Sequence, residues 1–218
     1  MAGPTLVLSS LALKGVLDTL RPAGELRFDA TQAILRRMSE GERADLLILT
    51  SEAMEDLRKK GRVTQVGALG SSGVGVAVRA GAPRPRIDSA DAFVAALLAA
   101  RSVAHSKLGA SGLYFSGLLK KLKLEDRLQK RVIVEKSPVG LVVASGEAEL
   151  GVQLLCELAP VAGIDIVGPL PAPLQVLTHF SAGIAADAES PKLAMALMDL
   201  LHGNEARAAM IEGGIQPA

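Results

Sequence analysis

The 218-residue chain is poor in the side chains that build several common kinds of site. It has no tryptophan, a single tyrosine (Tyr114) and only 2% aromatic residues, which argues against base-stacking platforms and ring-lined sugar sites. Its one cysteine, Cys156, excludes an intramolecular disulfide and makes a cysteine-based metal cluster improbable. The composition therefore points away from nucleic-acid binding and from disulfide-stapled folds.

Metal ligands, net charge and long apolar runs are also scarce. The three histidines are far apart in the sequence and show no metal-ligand spacing, so we expect no metal and no cofactor. The net charge of +1 produces no strong field toward nucleic acid or membranes. No apolar run reaches the roughly 18 residues of a membrane span, so no direct membrane insertion is expected.

The amino terminus, "MAGPTLVLSS", lacks the basic region and the long apolar region of a signal peptide. Two localisations follow, depending on the native start. The protein is cytoplasmic if Met1 is native, and periplasmic if a leader was removed. The sequence leaves both alternatives open.

Strand and helix patterns alternate along the first sixty residues. Apolar or alternating runs at Thr5–Ser10, Glu25–Ala30 and Ala44–Thr50 read as strands, and one-sided helical patterns follow each of them. This order predicts an α/β fold with a mostly parallel sheet flanked by helices. A long Gly-rich stretch without a helix, Val63–Gly81, then interrupts the pattern.

A second β/α series follows this interruption, and a second helix-free stretch begins near residue 164. We therefore predict two α/β lobes joined by two crossings. The first lobe comprises residues 1–78 and 175–218, and the second comprises residues 79–174. Ser190 and Pro191 mark the predicted start of a helix that returns to the first lobe.

Small hydroxyl residues recur where the predicted strands end and helices begin. They are Ser9, Ser10, Thr31, Thr50, Ser51, Ser106 and Ser137. Any one of them is more often a helix cap than a ligand contact. Because ligands of open α/β sheets bind at the carboxyl ends of the strands, the recurrence in both lobes predicts an anion site. The turn "GASG" at Gly109–Gly112 would let the backbone approach an anion closely.

Several stretches resemble the molybdate-binding branch of the type II periplasmic substrate-binding proteins. They are "LSSLALKGVLDTL", "GERADLLILTSEAMEDL", "GLYFSGLLKKL" and "GEAELGVQLLCEL", which together span most of the chain. The resemblance implies a two-lobed fold with the ligand in a cleft between the lobes, and Ser9 and Ser10 among the oxyanion-binding hydroxyls. It also implies the membrane subunit of an ABC transporter as a partner if the protein serves in transport.

One position departs from the molybdate-binding pattern. Family members commonly carry a tyrosine in the strand after the "GEAELG" turn, where this chain has Val152, Gln153 and Leu154 and no tyrosine. The substitution predicts that molybdate is not the preferred ligand. Aconitate isomerases also resemble this branch, which implies an isomerase as an alternative function.

Two functions are therefore carried forward. The first is binding of a small anion, either an oxyanion or a small carboxylate. The predicted ligand-binding residues are Ser9, Ser10, Thr31, Thr50, Ser72, Ser106, Gly109, Ala110, Ser111, Gly112 and Gln153. The alternative is isomerisation of an unsaturated small carboxylic acid, for which His105 is the first candidate proton shuttle and Tyr114 the second.

Overall fold

The computed structural model describes residues 5–135 and 138–218. The alternatives tied to Met1 and the predicted hydroxyl at Ser137 lie outside the described residues. The strands are β1 (Leu6–Ser10), β2 (Glu25–Asp29), β3 (Leu46–Thr50), β4 (Val63–Arg79), β5 (Val103–Ser106), β6 (Arg131–Val134), β7 (Leu150–Leu154), β8 (Ile164–Pro169), β9 (Leu177–Ala185) and β10 (Gln216–Pro217). The helices are α1 (Lys14–Leu20), α2 (Thr31–Ser39), α3 (Ser51–Lys59), α4 (Ala90–Ala99), α5 (Ala110–Lys121), α6 (Val139–Ala144), α7 (Leu155–Leu158), α8 (Pro191–His202) and α9 (Asn204–Glu212), with short 3-10 helices at Leu11–Leu13 and Ala172–Leu174.

The predicted α/β fold is confirmed, and the helix starts follow the sequence signals. Ser89 caps α4, since its Oγ accepts a hydrogen bond from the backbone N of Ala92 at 3.1 Å. Helix α8 has Pro191 as its first residue, directly after Ser190. The chain groups into two compact units, here called unit 1 (Met1–Ser72 with Thr178–Ala218) and unit 2 (Gly73–Leu177). The predicted lobe boundaries stay a prediction.

The sheet of unit 1 has the strand order β2-β1-β3-β9-β4, with β10 also paired to β4. Strands β1, β2 and β3 are parallel, whereas β9 runs antiparallel to β3. Helices α2 and α3 pack Ile34 and Met54 against Leu8, Leu47 and Leu49 of the sheet.

Asp45 connects the start of β1 with the start of α8 through hydrogen bonds. The side chain is 5% exposed. Its Oδ2 accepts from the backbone N of Leu6, and its Oδ1 accepts from the backbone N of Ser190, both at 2.8 Å. One buried carboxylate therefore fixes the start of β1 relative to the start of α8, as expected for a buried charge satisfied by backbone donors.

The sheet of unit 2 has the order β4-β7-β5-β6, with β8 also paired to β4. Strands β5, β6 and β7 are parallel, and β4 runs antiparallel to β7 and β8. Ala104, Val134, Val139 and Ala148 form a buried cluster on one face of this sheet. Strand β4 is shared by the two sheets, because its first half pairs within unit 1 and its second half pairs within unit 2.

None of the helices in the described part of the chain combines the length and the apolarity that a membrane span requires.

Candidate functional site

The parallel strands of unit 1 end at Ser10, Asp29 and Thr50, which we call the carboxyl edge of unit 1. Both serines predicted to bind an anion lie here. Ser10 Oγ accepts from the backbone N of Ala12 at 3.4 Å, so it caps the 3-10 helix that follows β1. Ser9 is fully buried, and its hydroxyl donates to the carbonyl oxygen of Ser10 at 3.0 Å.

Three more of the predicted hydroxyls of unit 1, those of Thr31, Ser51 and Ser72, are also hydrogen-bonded within the unit. Thr31 Oγ1 accepts from the backbone N of Thr50 at 3.3 Å, which joins the start of α2 to the end of β3. Ser51 Oγ and Ser181 Oγ share a hydrogen bond of 2.7 Å. Ser72 Oγ donates to the carbonyl oxygen of Gly214 at 2.9 Å. Thr31 and Ser72 therefore have an internal structural role in addition to their predicted ligand role.

The parallel strands of unit 2 end at Ser106, Val134 and Leu154, which we call the carboxyl edge of unit 2. In the register between β5 and β7, His105 lies opposite Val152. The residues that follow this pair, Ser106 in β5 and Gln153 in β7, come at the carboxyl ends of two strands whose spacing is roughly 4.8 Å. Two residues predicted to bind the same ligand therefore lie at the same edge.

Helix α5 begins directly above Ser106. A Cβ at Gly109 would approach Ser106 Oγ to 2.7 Å, and a Cβ at Gly112 would overlap the carbonyl oxygen and Oγ of Ser106. Only glycine lets the first turn of α5 approach the strand end this closely. The first-turn N–H groups, including those of Ala110 and Ser111, have no partner within the helix and carry the positive end of its dipole.

Three buried side-chain atoms at this edge lack a hydrogen-bond partner among the described residues. They are His105 Nε2, Ser106 Oγ and Ser111 Oγ. His105 and Ser111 are each 1% exposed. Since more than nine in ten buried polar groups in proteins are hydrogen-bonded, three orphaned atoms within seven residues indicate a partner from outside the described chain.

The hydrogen bond of His105 determines which ring nitrogen is free. Nδ1 lies 3.0 Å from the carbonyl oxygen of Ser106, which can only accept, so Nδ1 carries the proton. Burial lowers the pKa of His105, despite the opposing effect of this hydrogen bond, and the ring also lies edge-on to Phe115 at 5.4 Å. His105 is therefore neutral near pH 7, and Nε2 presents an acceptor lone pair.

Tyr114, the second predicted proton shuttle, has a backbone partner. Its hydroxyl donates to the carbonyl oxygen of Leu174 at 2.6 Å, and burial raises the pKa of its phenol. The nearby cation Lys107 forms an exposed ion pair of 2.7 Å with Glu135. The catalytic assignment of Tyr114 stays a prediction.

The sequence analysis did not select Glu157, which lies in α7 immediately after β7. The Gln153 amide links it to α6, since Oε1 accepts from the backbone N of Val139 at 3.0 Å and Nε2 donates to Glu157 Oε2. Burial raises the pKa of Glu157 to about 7, although the hydrogen bond from Gln153 favours the carboxylate. No hydroxyl or glycine pattern marks this carboxyl, and only its spacing of four residues from Gln153 could have indicated it.

A separate cavity of about 320 Å³ lies at the opposite, amino end of β1 and β2 in unit 1. Its walls include Thr5, Gly24, Leu193, Leu197 and Leu200, so it is mainly apolar. None of the predicted ligand-binding residues lines it. Within residues 5–135 and 138–218, no group of three His, Cys, Asp or Glu side chains is arranged to hold a metal ion.

Residues 24–216 match the family described as bacterial extracellular solute-binding protein. The chain belongs to this family. It is also 36% identical to an aconitate isomerase from a Pseudomonas species over 236 aligned residues, covering 99% of this chain and 90% of that protein. The predicted resemblance to the substrate-binding proteins is confirmed.

Two solved structures show the same fold as this member of the solute-binding family. The periplasmic molybdate-binding protein of Azotobacter vinelandii matches with a TM-score of 0.72 and 22% identity, over 96% of this chain and 97% of that one. The sulfate-binding protein SubI of Mycobacterium tuberculosis matches with a TM-score of 0.72 and 16% identity, over 99% and 88%. At these identities the structural similarity establishes the fold but not the ligand.

Proposed function

We propose that this solute-binding protein binds a small anion at the carboxyl edge of unit 2, and that the anion is a small carboxylic acid. The observation that carries the proposal is the set of three orphaned buried atoms, His105 Nε2, Ser106 Oγ and Ser111 Oγ. Two hydroxyls and the first-turn N–H groups of α5 supply donors without bulk, a combination suited to anions. A bound ligand would satisfy the polar atoms that the described chain leaves unpaired.

The chemistry of the edge favours a carboxylic acid over molybdate. A tetrahedral oxyanion such as molybdate offers only acceptors to its site. The carboxyl edge of unit 2 combines donors with an acceptor, the neutral His105 Nε2. An organic acid that also carries a protonated carboxyl or a hydroxyl meets both kinds of group, and this chain has Val152, Gln153 and Leu154 in the stretch where molybdate binders commonly have a tyrosine.

The hydroxyls of unit 1 remain part of the proposal as ligand-binding residues. The hydroxyls of Ser9, Ser10, Thr31 and Ser72 would use capacity beyond the hydrogen bonds described above, since a hydroxyl can both donate and accept. Thr50 would contribute its own hydroxyl. A role in transport would add the membrane subunit of an ABC transporter as a partner, as the resemblance to the periplasmic substrate-binding proteins implies.

Calorimetry on the intact chain with five probes tests the proposal: molybdate, sulfate, citrate, cis-aconitate and trans-aconitate. We expect at least one organic acid to bind at least tenfold more tightly than molybdate. A bound ligand should also raise the melting temperature, because it stabilises only the folded state. Submicromolar binding of molybdate with no heat from the organic acids would contradict the proposal.

A second candidate function is isomerisation of an unsaturated small carboxylic acid. Two observations favour it: the 36% identical relative is an aconitate isomerase, and the carboxyl edge of unit 2 holds groups that can exchange protons. Binding alone needs donors, whereas isomerisation also needs a titratable group within reach of a carbon-bound proton. Incubation with cis-aconitate or trans-aconitate, followed by NMR, distinguishes the two functions by the appearance of the other isomer.

A further inference from the structure

Glu157 differs from the other acidic side chains of unit 2 in its surroundings. Glu149 accepts from the backbone N and the Nε of Arg101, both at 3.0 Å, and Asp165 pairs with Arg84 at 3.5 Å. Glu157 is partly buried, and among the described residues it has no cation within ion-pair distance. A carboxylate held this way keeps its basicity, because no positive charge stabilises the ionised form.

Gln153 determines which oxygen of Glu157 can carry a proton. The amide is 3% exposed, and its Oε1 is held by the backbone N of Val139, so its Nε2 must face Glu157. Glu157 Oε2 therefore accepts a hydrogen bond in both protonation states. The exchangeable proton resides on the other oxygen, Oε1.

Strand β7 and helix α6, which both pack against α7, contribute no competing charge. Strand β7 reads "LGVQL" and helix α6 reads "VGLVVA", and Gln153 is their one polar side chain that bonds to Glu157. Burial therefore raises the pKa of the carboxyl to about 7. A general base works best when its pKa lies near the working pH, so both forms of Glu157 are available under ordinary conditions.

The position of this carboxyl matches the proposed ligand site. His105 pairs with Val152 in the parallel register of β5 and β7, so the next residues of the two strands, Ser106 and Gln153, both lie at the carboxyl edge of unit 2, and Ser106 Oγ is one of the three orphaned buried atoms. Glu157 follows one turn later, at the same carboxyl edge of unit 2. This edge therefore carries neutral donors together with a carboxyl that has no ion-pair partner among the described residues.

We propose that Glu157 is the proton-transfer group for an allylic isomerisation of a bound unsaturated carboxylic acid, with Gln153 as its positioning residue. The inference rests on the second proposed function. Glu157 Oε1 takes a proton from the CH2 that lies between a carboxylate and the double bond. The electron pair of that C–H bond forms the new double bond, the old π pair moves to the former vinylic carbon, and that carbon takes a proton back. The composition of the acid is unchanged and no oxidant or reductant is needed.

Glu157 is better suited to this step than either predicted shuttle. Burial lowers the pKa of His105, so its free Nε2 is a weaker base than Glu157, whose pKa is about 7. The hydroxyl proton of Tyr114 is engaged by the carbonyl of Leu174. Glu157 has a second oxygen, Oε1, that is available for the proton.

The test compares the wild-type chain with Glu157→Gln, a substitution that keeps the shape and the acceptor for Gln153. Trans-aconitate and cis-aconitate are incubated with each protein in D2O, and NMR follows isomer conversion and deuterium incorporation. We expect wild type to convert and exchange, and Glu157→Gln to bind with an affinity within about threefold of wild type. Its turnover should fall by about 100- to 10,000-fold, the usual contribution of a general base.

Gln153→Ala is the test of positioning. Loss of the hydrogen bond that favours the carboxylate should move the acidic limb of the pH–rate profile of kcat to higher pH. An unshifted profile would leave Gln153 with a merely structural role and overturn its assignment.

Failure of the inference and failure of the underlying function give different results. If wild type binds these acids yet produces neither conversion nor exchange, the isomerase function is wrong. If wild type is active and Glu157→Gln retains turnover within about threefold, the isomerase stands and Glu157 is not its proton-transfer group. If His105→Asn loses activity while Glu157→Gln remains active, the proton-transfer step belongs to His105.

Discussion

The carboxyl edges of the two units carry similar residue types that serve different purposes. In unit 1 the hydroxyls of Ser9, Ser10 and Thr31 are bonded to neighbouring backbone groups. In unit 2 the hydroxyls of Ser106 and Ser111 are buried without a partner among the described residues. A hydroxyl at a strand end therefore does not by itself indicate a ligand site. A hydroxyl that caps a helix and a hydroxyl that is free to bind a ligand have the same sequence pattern, and only their hydrogen bonds distinguish them.

The largest expected effect comes from adding a side chain at the position where α5 closely approaches β5. In Gly112→Ala the new Cβ overlaps backbone at Ser106, so the start of the helix must move. We expect a loss of about 3 kcal/mol in the free energy of unfolding, at the upper end of overpacking costs, and a large loss of anion affinity. Urea denaturation and calorimetry measure the two effects.

Gly117→Ala is the matched control in the same helix. A Cβ at Gly117 meets no atom within 4 Å, and alanine is the better helix former by about 0.5–1 kcal/mol. This variant should be slightly more stable than wild type and bind equally well. Equal stability of the two variants would contradict the close approach at Gly112.

The second effect concerns the pH dependence of stability from Glu157. The folded protein holds this proton up to about pH 7, whereas the unfolded chain releases it near pH 4.5. The stabilising protonation is thus fully present below pH 4.5 and is lost as the pH rises through 7. We expect the free energy of unfolding of Glu157→Gln to exceed that of wild type by an amount that grows from about 1 to about 3 kcal/mol between pH 5 and pH 8, since each pKa unit corresponds to about 1.4 kcal/mol.

Urea titrations of both proteins at a series of pH values measure this difference. Glu149→Gln serves as the comparison, because bonding to Arg101 lowers the pKa of Glu149, so its stabilising contribution should persist as the pH rises and fade only at acidic pH. A pH-independent difference between wild type and Glu157→Gln would mean that Glu157 does not titrate near neutrality.

The smallest effect belongs to the carboxyl edge of unit 1. Ser10→Ala removes the cap of the 3-10 helix and should cost about 1 kcal/mol of stability, a typical value for a lost cap. Thermal unfolding without ligand measures it. An unchanged melting temperature would show that the hydrogen bond from Ala12 contributes nothing.

Much of the fold was predictable because its signals are local. Alternating strand and helix patterns, the Ser89 cap and the Pro191 start are each encoded within a few residues. The antiparallel placement of β9 in the sheet of unit 1 was not predictable, because it depends on pairing with β3, more than a hundred residues earlier.

The candidate site was predictable in part for the same reason. Ser106, Gly109, Ser111 and Gly112 lie within one contiguous segment, so the strand-to-helix pattern identified them. Glu157 was missed because its importance depends on burial, on the absence of a cation and on a bond to Gln153. Those are properties of packing, which composition and spacing do not record.

The most direct measurement of the central claim is calorimetry on Ser111→Ala with the best-binding acid of the five-probe panel, next to the melting temperature without ligand. Because the Ser111 hydroxyl has no partner in the described chain, its removal should leave the free protein equally stable or slightly more stable. Affinity should fall roughly 10- to 100-fold, as for the loss of a hydrogen bond to a charged group. Unchanged affinity for that acid would contradict the claim that this edge is the anion site.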